Sequence, residues 1–130
     1  MWKLGNRSLT NLYGVDERLV KMCHEAIKIV DFAVIEGVRT KETQDRYYFE
    51  GKTKLKFPQS KHNKTPSLAI DVVPYPVDWS DRERFAYLAG VFQTVAHNLG
   101  FKVRWGGDWN RDGHFKNETF HDLPHFEIVD

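Results

Sequence analysis

The sequence predicts a single small α+β domain in which an antiparallel sheet packs with about three helices. The length of 130 residues is typical of one domain, and 41% hydrophobic residues are enough to form one core. Segments with helical and strand-like hydrophobic spacing alternate along the chain. Because no repeat, low-complexity segment or linker interrupts this order, we assign residues 1–130 to one domain.

The first half of the chain predicts two helices with a strand between them. Residues 16–30 place apolar side chains at three- and four-residue spacing, and Asp16 is suited to cap the resulting helix. Residues 31–39, DFAVIEGVR, are rich in β-branched side chains and predict a strand. Residues 40–51 predict a short helix for which Thr40 is the N-cap.

The second half of the chain predicts three strands and the longest helix. Residues 52–66 contain five lysines and two prolines and predict a loop. Residues 80–100 predict the helix, with Ser80 and Glu83 as a capping box at its start. The strands are predicted at residues 68–73, 101–105 and 125–129.

The composition disfavours several classes of protein. Lys and Arg total 19 and Asp and Glu total 18, so a dedicated nucleic-acid binder is disfavoured. Cys23 is the only cysteine, which excludes an intramolecular disulfide and a cysteine-based zinc cluster. The first residues lack the apolar core of a signal peptide, and no run of about 18 apolar residues predicts a membrane span. We therefore expect no nucleic-acid partner and no membrane insertion.

Four polar residues lie next to or inside the apolar strands: His62, Asp71, Asp122 and His125. Asp71 interrupts the apolar run of residues 68–73, and a carboxylate in such a run needs a partner. Two histidines and one carboxylate, with a fourth position open to water, form the ligand set of a catalytic zinc site. Asp122 lies three residues before His125 and is a candidate general base.

Structural roles for these side chains stay open on the residues alone. A single histidine next to a strand is more often a core or surface residue than a metal ligand. Asp71 could instead form an ion pair with Arg39 or Arg104. His114 and His121, both in the loop before the last strand, are alternative ligands or substrate-binding residues.

Two motifs contain the candidate ligands: SKHNKTPSLAID at residues 60–71 and HDLPHF at residues 121–126. Two further segments, EGVRT and RWGGDWN, precede and follow the first motif. In order and spacing, from residue 31 to residue 128, the four segments resemble the D-alanyl-D-alanine carboxypeptidase and L-alanyl-D-glutamate endopeptidase family of zinc peptidases. The likeness is greatest to the compact phage endolysins of this family, which are single zinc-dependent domains.

The resemblance implies that His62, Asp71 and His125 bind one Zn²⁺ ion at the sheet. The family usually has six residues, including a glycine, between the first two ligands. Here eight residues without a glycine separate His62 from Asp71. A two-residue insertion preserves the side-chain alternation of the strand if it lies in the loop before Leu68. We therefore expect Asp71 to remain a ligand.

The resemblance also implies roles for residues that do not bind the metal. Asp122 would be the catalytic base, and an aspartate rather than a glutamate at this position favours the endolysin branch. Arg39 would bind or polarise the substrate. Ser60 would contact the substrate or support the site, and Trp109 would bind the substrate, with core packing as the alternative. For Trp105, core packing is as well supported as a substrate contact.

The resemblance implies a peptidoglycan hydrolase, a zinc-dependent L-alanyl-D-glutamate endopeptidase that cuts the stem peptide for host cell lysis. The alternatives are a D,D-carboxypeptidase or dipeptidase of the same family, and a non-catalytic cell-wall-binding module. We expect a monomer that is made in the host cytoplasm and acts on peptidoglycan in the periplasm. Because this requires membrane permeabilisation, we also expect dependence on a holin.

Overall fold

The computed structural model describes residues 1–118 and 120–129, and these residues form four α-helices and a four-stranded antiparallel sheet. The helices are α1 (Asn6–Asn11), α2 (Glu17–Ala26), α3 (Lys41–Phe49) and α4 (Arg82–Leu99). The strands are β1 (Phe32–Glu36), β2 (Ala69–Pro74), β3 (Lys102–Gly106) and β4 (Asp122–Val129). Two 3₁₀ helices cover Lys61–Asn63 and Phe115–Asn117. The α+β prediction is confirmed, with one helix more than expected.

The hydrophobic core lies between α2, α4 and one face of the sheet, whose strand order is β1-β2-β4-β3. Phe92 of α4 contacts Phe32 of β1 and Phe126 of β4, with ring centroids 5.0 and 4.8 Å apart. Burying each of these rings stabilises the fold by about 1.5–3 kcal/mol. Because side chains alternate along a strand, His125 and Glu127 lie on the sheet face opposite Phe126.

The sequence does not predict α1, because its segment NRSLTN lacks a helical pattern of apolar residues. The structure shows instead that polar side chains hold α1 against the edge strand β1. The Val34 N–H donates to Ser8 Oγ at 2.9 Å, and Asn11 Nδ2 donates to the Val34 carbonyl oxygen at 2.9 Å. Both backbone groups of Val34 that β2 does not use are therefore satisfied.

The predicted caps of α2 and α3 are confirmed, and the predicted start of α4 is wrong. Asp16 and Thr40 each accept a hydrogen bond from a backbone N–H in the first turn of the helix that follows. The N-cap of α4 is Asp81 rather than Ser80. The reason is a local turn in which the Ser80 N–H and hydroxyl both donate to Asp78 Oδ1, at 3.0 and 2.7 Å.

The helix α2 is shorter than the predicted segment of residues 16–30. It ends at Ala26, and the chain continues as a tighter turn in which the Ile29 N–H donates to the Ala26 carbonyl at 2.9 Å.

Within the described ranges, no helix combines the length and the apolar character needed to cross a membrane.

Gly37 follows β1 at a position with no room for a side chain. A Cβ atom there would lie 2.1 Å from the Asn11 carbonyl oxygen and 2.7 Å from Val15 Cγ2. We expect Gly37→Ala to lower the free energy of unfolding by about 1–3 kcal/mol, because packed atoms must move. Urea unfolding measures this loss.

The matched control is Gly90→Ala in α4, where a Cβ atom would meet nothing within 4 Å. We expect this variant to raise the free energy of unfolding by up to about 1 kcal/mol, because alanine favours a helix more than glycine does. If both alanine variants were equally stable, the close approach at Gly37 would not be a constraint on the fold.

Candidate metal centre and substrate site

The sheet and one short helix bring the three predicted ligands together. Asp71 of β2 lies opposite Glu36 of β1 and opposite His125 of β4. His62 comes from the 3₁₀ helix that precedes β2. One possible ligand atom from each of His62, Asp71 and His125 lies within 4.8 Å of the other two. This cluster has the composition and spacing to hold a metal ion, although its role as a ligand set stays a prediction.

Two hydrogen bonds orient the buried His62, one made by its backbone N–H and one made by its ring nitrogen Nδ1. The Ser60 hydroxyl accepts a hydrogen bond from the His62 backbone N–H at 3.2 Å, and Asn63 completes this capping box. The His62 Nδ1 lies 2.8 Å from the Gly37 carbonyl oxygen, which can only accept a hydrogen bond. Nδ1 therefore carries the proton. Nε2 faces Asp71 Oδ1 at 3.3 Å and has its lone pair available for a metal.

The loop before β2 accommodates the longer spacing between His62 and Asp71. The Leu68 N–H donates to the Lys61 carbonyl oxygen at 3.0 Å, which closes this loop. β2 begins only at Ala69, so the extra residues do not change the alternation within the strand. Asp71 therefore lies beside the two histidines, and its role as a ligand stays a prediction.

The His125 ring faces Asp71 with Nδ1, whereas the His62 ring faces it with Nε2. His125 Nδ1 lies 3.3 Å from Asp71 Oδ1, and Nε2 lies 2.7 Å from Glu127 Oε1. Two imidazole nitrogens and one carboxylate oxygen thus converge. The second nitrogen of each ring, which points away from the cluster, has a protein hydrogen-bond acceptor. Histidines that bind metals usually donate their second N–H to such an acceptor. The residues present therefore fit a bound metal ion.

Hydrogen bonds determine the charges in the cluster. Burial raises the pKa of Asp71, but hydrogen bonds with His125 and His62 outweigh burial and hold this pKa well below its usual range. Burial lowers the pKa of His125, but hydrogen bonds to Asp71 and Glu127 outweigh burial and raise it to about 9. Asp71 is therefore anionic, which suits a residue that faces a cation.

Asp122 begins β4 next to this cluster. Its backbone packs tightly against Gly106, where a Cβ atom would lie 2.0 Å from the Asp122 carbonyl oxygen. Burial and the negative charge of Asp71 raise the pKa of Asp122, and the positive charge of His125 opposes this in part. A carboxylate with a raised pKa is a better proton acceptor, which is the property a general base needs.

The guanidinium group of Arg39 borders the cluster and is held in place by its neighbours. Nε donates to Glu36 Oε1 at 2.9 Å, Nη2 contacts the same oxygen, and Nη1 donates to Gln44 Oε1 at 3.1 Å. The group also lies over the Tyr47 ring, 4.9 Å from its centroid. Nη2 is 3.8 Å from Asp71 Oδ2, so Asp71 faces Arg39 in addition to the histidines.

Known proteins share this sequence and fold. Residues 1–129 match the protein family described as phage L-alanyl-D-glutamate peptidase. The chain belongs to this family. It is 32% identical to the L-alanyl-D-glutamate peptidase of Escherichia phage T5, over 98% of both chains. It is 33% identical to the peptidoglycan L-alanyl-D-glutamate endopeptidase CwlK of Bacillus subtilis, over 80% of this chain and 64% of CwlK.

A solved structure shares the fold of this family member. The crystal structure of the L-Ala D-Glu endopeptidase ChiX of Serratia marcescens matches it with a TM-score of 0.80 at 31% sequence identity. The match covers 95% of this chain and 87% of ChiX. The resemblance inferred from the motifs is thereby confirmed.

The two tryptophans of the RWGGDWN segment have different surroundings in this family member. Trp105 is buried, and its Nε1 donates to the Leu123 carbonyl oxygen at 2.7 Å, so Trp105 belongs to the core. The ring of Trp109 lies 5.5 Å from the His125 ring and stacks on Phe120 at 6.2 Å. Trp109 thus borders the cluster, and its role in substrate binding stays a prediction.

The alternative histidines lie apart from the three-residue cluster. The His121 ring stacks on Phe115 at 4.5 Å, and its Nε2 donates to the Phe115 carbonyl oxygen at 2.9 Å. Its Nδ1 lies 2.5 Å from Arg82 Nη2, so both ring nitrogens have partners. His114 is exposed in the loop before the second 3₁₀ helix. In the described part of the chain, neither residue joins the group that could hold a metal.

The residues that support the cluster are harder to find in the sequence than the cluster itself. Gln44 and Glu36 position Arg39, Gly37 binds His62, and Glu127 binds His125. Only Glu127 has a simple signal, because a residue two positions after a histidine in a strand lies on the same face. The contacts of the other residues depend on how the segments pack.

Gln44 is fully buried behind Arg39, and its polar atoms all have partners. Its Oε1 accepts from Arg39 Nη1 at 3.1 Å, and its Nε2 donates to the Leu55 carbonyl oxygen at 2.7 Å.

We expect Gln44→Met to lower the free energy of unfolding by about 1–3 kcal/mol, because buried polar groups lose their partners. Urea unfolding tests this. The control Gln59→Met, in an exposed loop, should change it by less than about 0.5 kcal/mol, and equal losses would contradict the role of Gln44.

Proposed function

We propose that this chain is a zinc-dependent L-alanyl-D-glutamate endopeptidase that hydrolyses the stem peptide of peptidoglycan. The observation that carries the proposal is the convergence of His62, Asp71 and His125 beside Asp122, in a member of this family. The names of the T5, CwlK and ChiX relatives support the choice of scissile bond.

The chemistry of the ligand atoms supports zinc as the metal. Two imidazole nitrogens and one carboxylate oxygen are a ligand set that zinc uses in catalytic sites. His62 would offer Nε2, His125 would offer Nδ1 and Asp71 would offer Oδ1. Zinc, when bound, supplies a Lewis acid that makes water nucleophilic near neutral pH and polarises a carbonyl group.

Asp122 is proposed as the general base. Its carboxylate takes a proton from the water that attacks the scissile carbonyl carbon, and then passes that proton to the leaving amine nitrogen. The raised pKa of Asp122, caused by burial and by the charge of Asp71, suits a group that must hold a proton between these two steps.

Arg39, Trp109 and Ser60 are proposed to support the reaction in different ways. The fixed guanidinium group of Arg39 presents planar donors to a carbonyl or carboxylate oxygen of the substrate. Trp109 forms an aromatic wall beside His125, against which the peptide can lie. The buried Ser60 hydroxyl binds the His62 backbone, which supports a role in holding His62, and a direct contact with substrate stays a prediction.

We also propose the biological setting that the family suggests. The chain would be made in the host cytoplasm and would reach periplasmic peptidoglycan through a membrane permeabilised by a holin. It would act as a monomer, which suits a mesh-like substrate. The proposal places the chain among bacteriolytic phage endolysins that degrade the cell wall for host lysis.

The first test is mass spectrometry of purified Gram-negative peptidoglycan after digestion, with and without a zinc chelator. Chelator-sensitive cleavage between L-Ala and D-Glu is the expected result. Release of D-Ala would instead indicate the carboxypeptidase or dipeptidase branch. Absence of cleavage by protein that contains zinc would favour the non-catalytic cell-wall-binding module.

Substitution of Asp122 separates catalysis from metal binding. We expect Asp122→Asn to keep one zinc per chain but to lower kcat by about 10²–10⁴-fold, because the proton acceptor is lost. His125→Ala should lose both zinc and activity. Metal analysis and peptide-release assays on the same samples make the comparison. Asp45→Asn, which removes a half-exposed carboxylate that pairs with Lys41 on α3, serves as the charge control, and a fully active Asp122→Asn enzyme would eliminate Asp122 as the base.

A further inference from the structure

Glu127 of β4 makes a short hydrogen bond with His125, one of the three residues of the cluster. It lies two residues after His125, on the sheet face opposite the core residue Phe126. The Glu127 side chain is nearly buried, and its Oε1 lies 2.7 Å from His125 Nε2. No motif of the sequence assigns a role to Glu127.

This contact decides which nitrogen His125 offers to the cluster. An ionised carboxylate can only accept a hydrogen bond, so His125 Nε2 must carry the proton. In the neutral ring, which is the form that binds a metal, the lone pair then lies on Nδ1, the nitrogen that faces Asp71 Oδ1. His62 is fixed in the same manner by the Gly37 carbonyl. Glu127 differs from that carbonyl because it brings a full negative charge to the ring.

Cations from two other segments add favourable charge near Glu127. Arg104 lies directly opposite Glu127 on β3, and its Nη1 is 3.9 Å from Glu127 Oε2. The Nε of Arg104 is buried and has no hydrogen-bond partner among the described residues. Lys61 lies nearby and donates to the Ile128 carbonyl oxygen at 2.7 Å.

We propose that Glu127 is a positioning residue that holds His125 with Nδ1 toward the metal and thereby sets the zinc affinity of the site. The inference rests on the proposed function, because it takes the cluster as a zinc site. A negative charge beside the Nε2–H group makes the imidazole more basic, so Nδ1 becomes a stronger metal ligand. Losing that charge weakens zinc binding without removing any ligand.

The test measures zinc dissociation constants by competition with a chromophoric chelator. We expect Glu127→Gln to raise the Kd for zinc by about 10–100-fold, because the amide keeps the shape but not the charge. The exposed Glu25→Gln, which also removes one carboxylate, should leave the Kd unchanged.

Two outcomes distinguish this inference from the proposed function. If the wild-type chain binds zinc and cleaves peptidoglycan but Glu127→Gln has an unchanged Kd, the role of Glu127 is wrong and the proposed function stands. If the wild-type chain binds no zinc, the proposed function itself fails, and the inference fails with it.

A second measurement uses only the wild-type protein, so it does not depend on how a variant folds. In the zinc-loaded protein, ¹⁵N long-range NMR correlations of His125 should show a proton on Nε2 and the metal on Nδ1. A His125 that carries its proton on Nδ1 would overturn the inference, because Glu127 Oε1 could then accept no hydrogen bond from the ring.

Discussion

The constraint on which the site depends is the ionised carboxylate of Asp71 in the second strand of the sheet, whose side chain is only 16% exposed. A charge at that depth destabilises the fold by several kcal/mol unless partners compensate it. The partners of Asp71 come from three separate segments, with His62 and His125 at 3.3 Å and Arg39 at 3.8 Å. One carboxylate therefore joins the 3₁₀ helix, β4 and the segment after β1, and these contacts form the cluster that has the composition and spacing to hold a metal ion.

The geometry of the sheet explains why the two histidines use different nitrogens. His125 lies directly opposite Asp71 on the neighbouring strand, so the nitrogen closer to its backbone, Nδ1, reaches the carboxylate. His62 approaches from a helix outside the sheet and extends its more distant Nε2. The opposite nitrogen of each ring then points away from the cluster, and the fold supplies an acceptor at each place. The path of the backbone therefore decides which nitrogen each histidine, as a predicted ligand, turns toward Asp71.

The sequence predicts those helices, strands and candidate ligands that depend on residues close together in the chain. The three predicted ligands converge because motif spacing and strand alternation survive the two extra residues before β2. The α4 start is not predicted correctly, because Ser80 and Asp81 are both good caps and only the turn at Asp78 decides between them. The burial of Gln44 has no local signal, because its partners Arg39, Leu55 and Asn63 come from other segments that fold around α3.

The attachment of α1 to β1 has a consequence for association between molecules. An unpaired edge strand offers its free N–H and C=O groups to any other strand, and this leads to sheet extension and aggregation. At Val34, Ser8 and Asn11 already occupy both groups. In the middle of β1, α1 therefore occupies the backbone groups that a further strand would need. The first helix, which carries almost none of the hydrophobic core, acts as a barrier to strand addition.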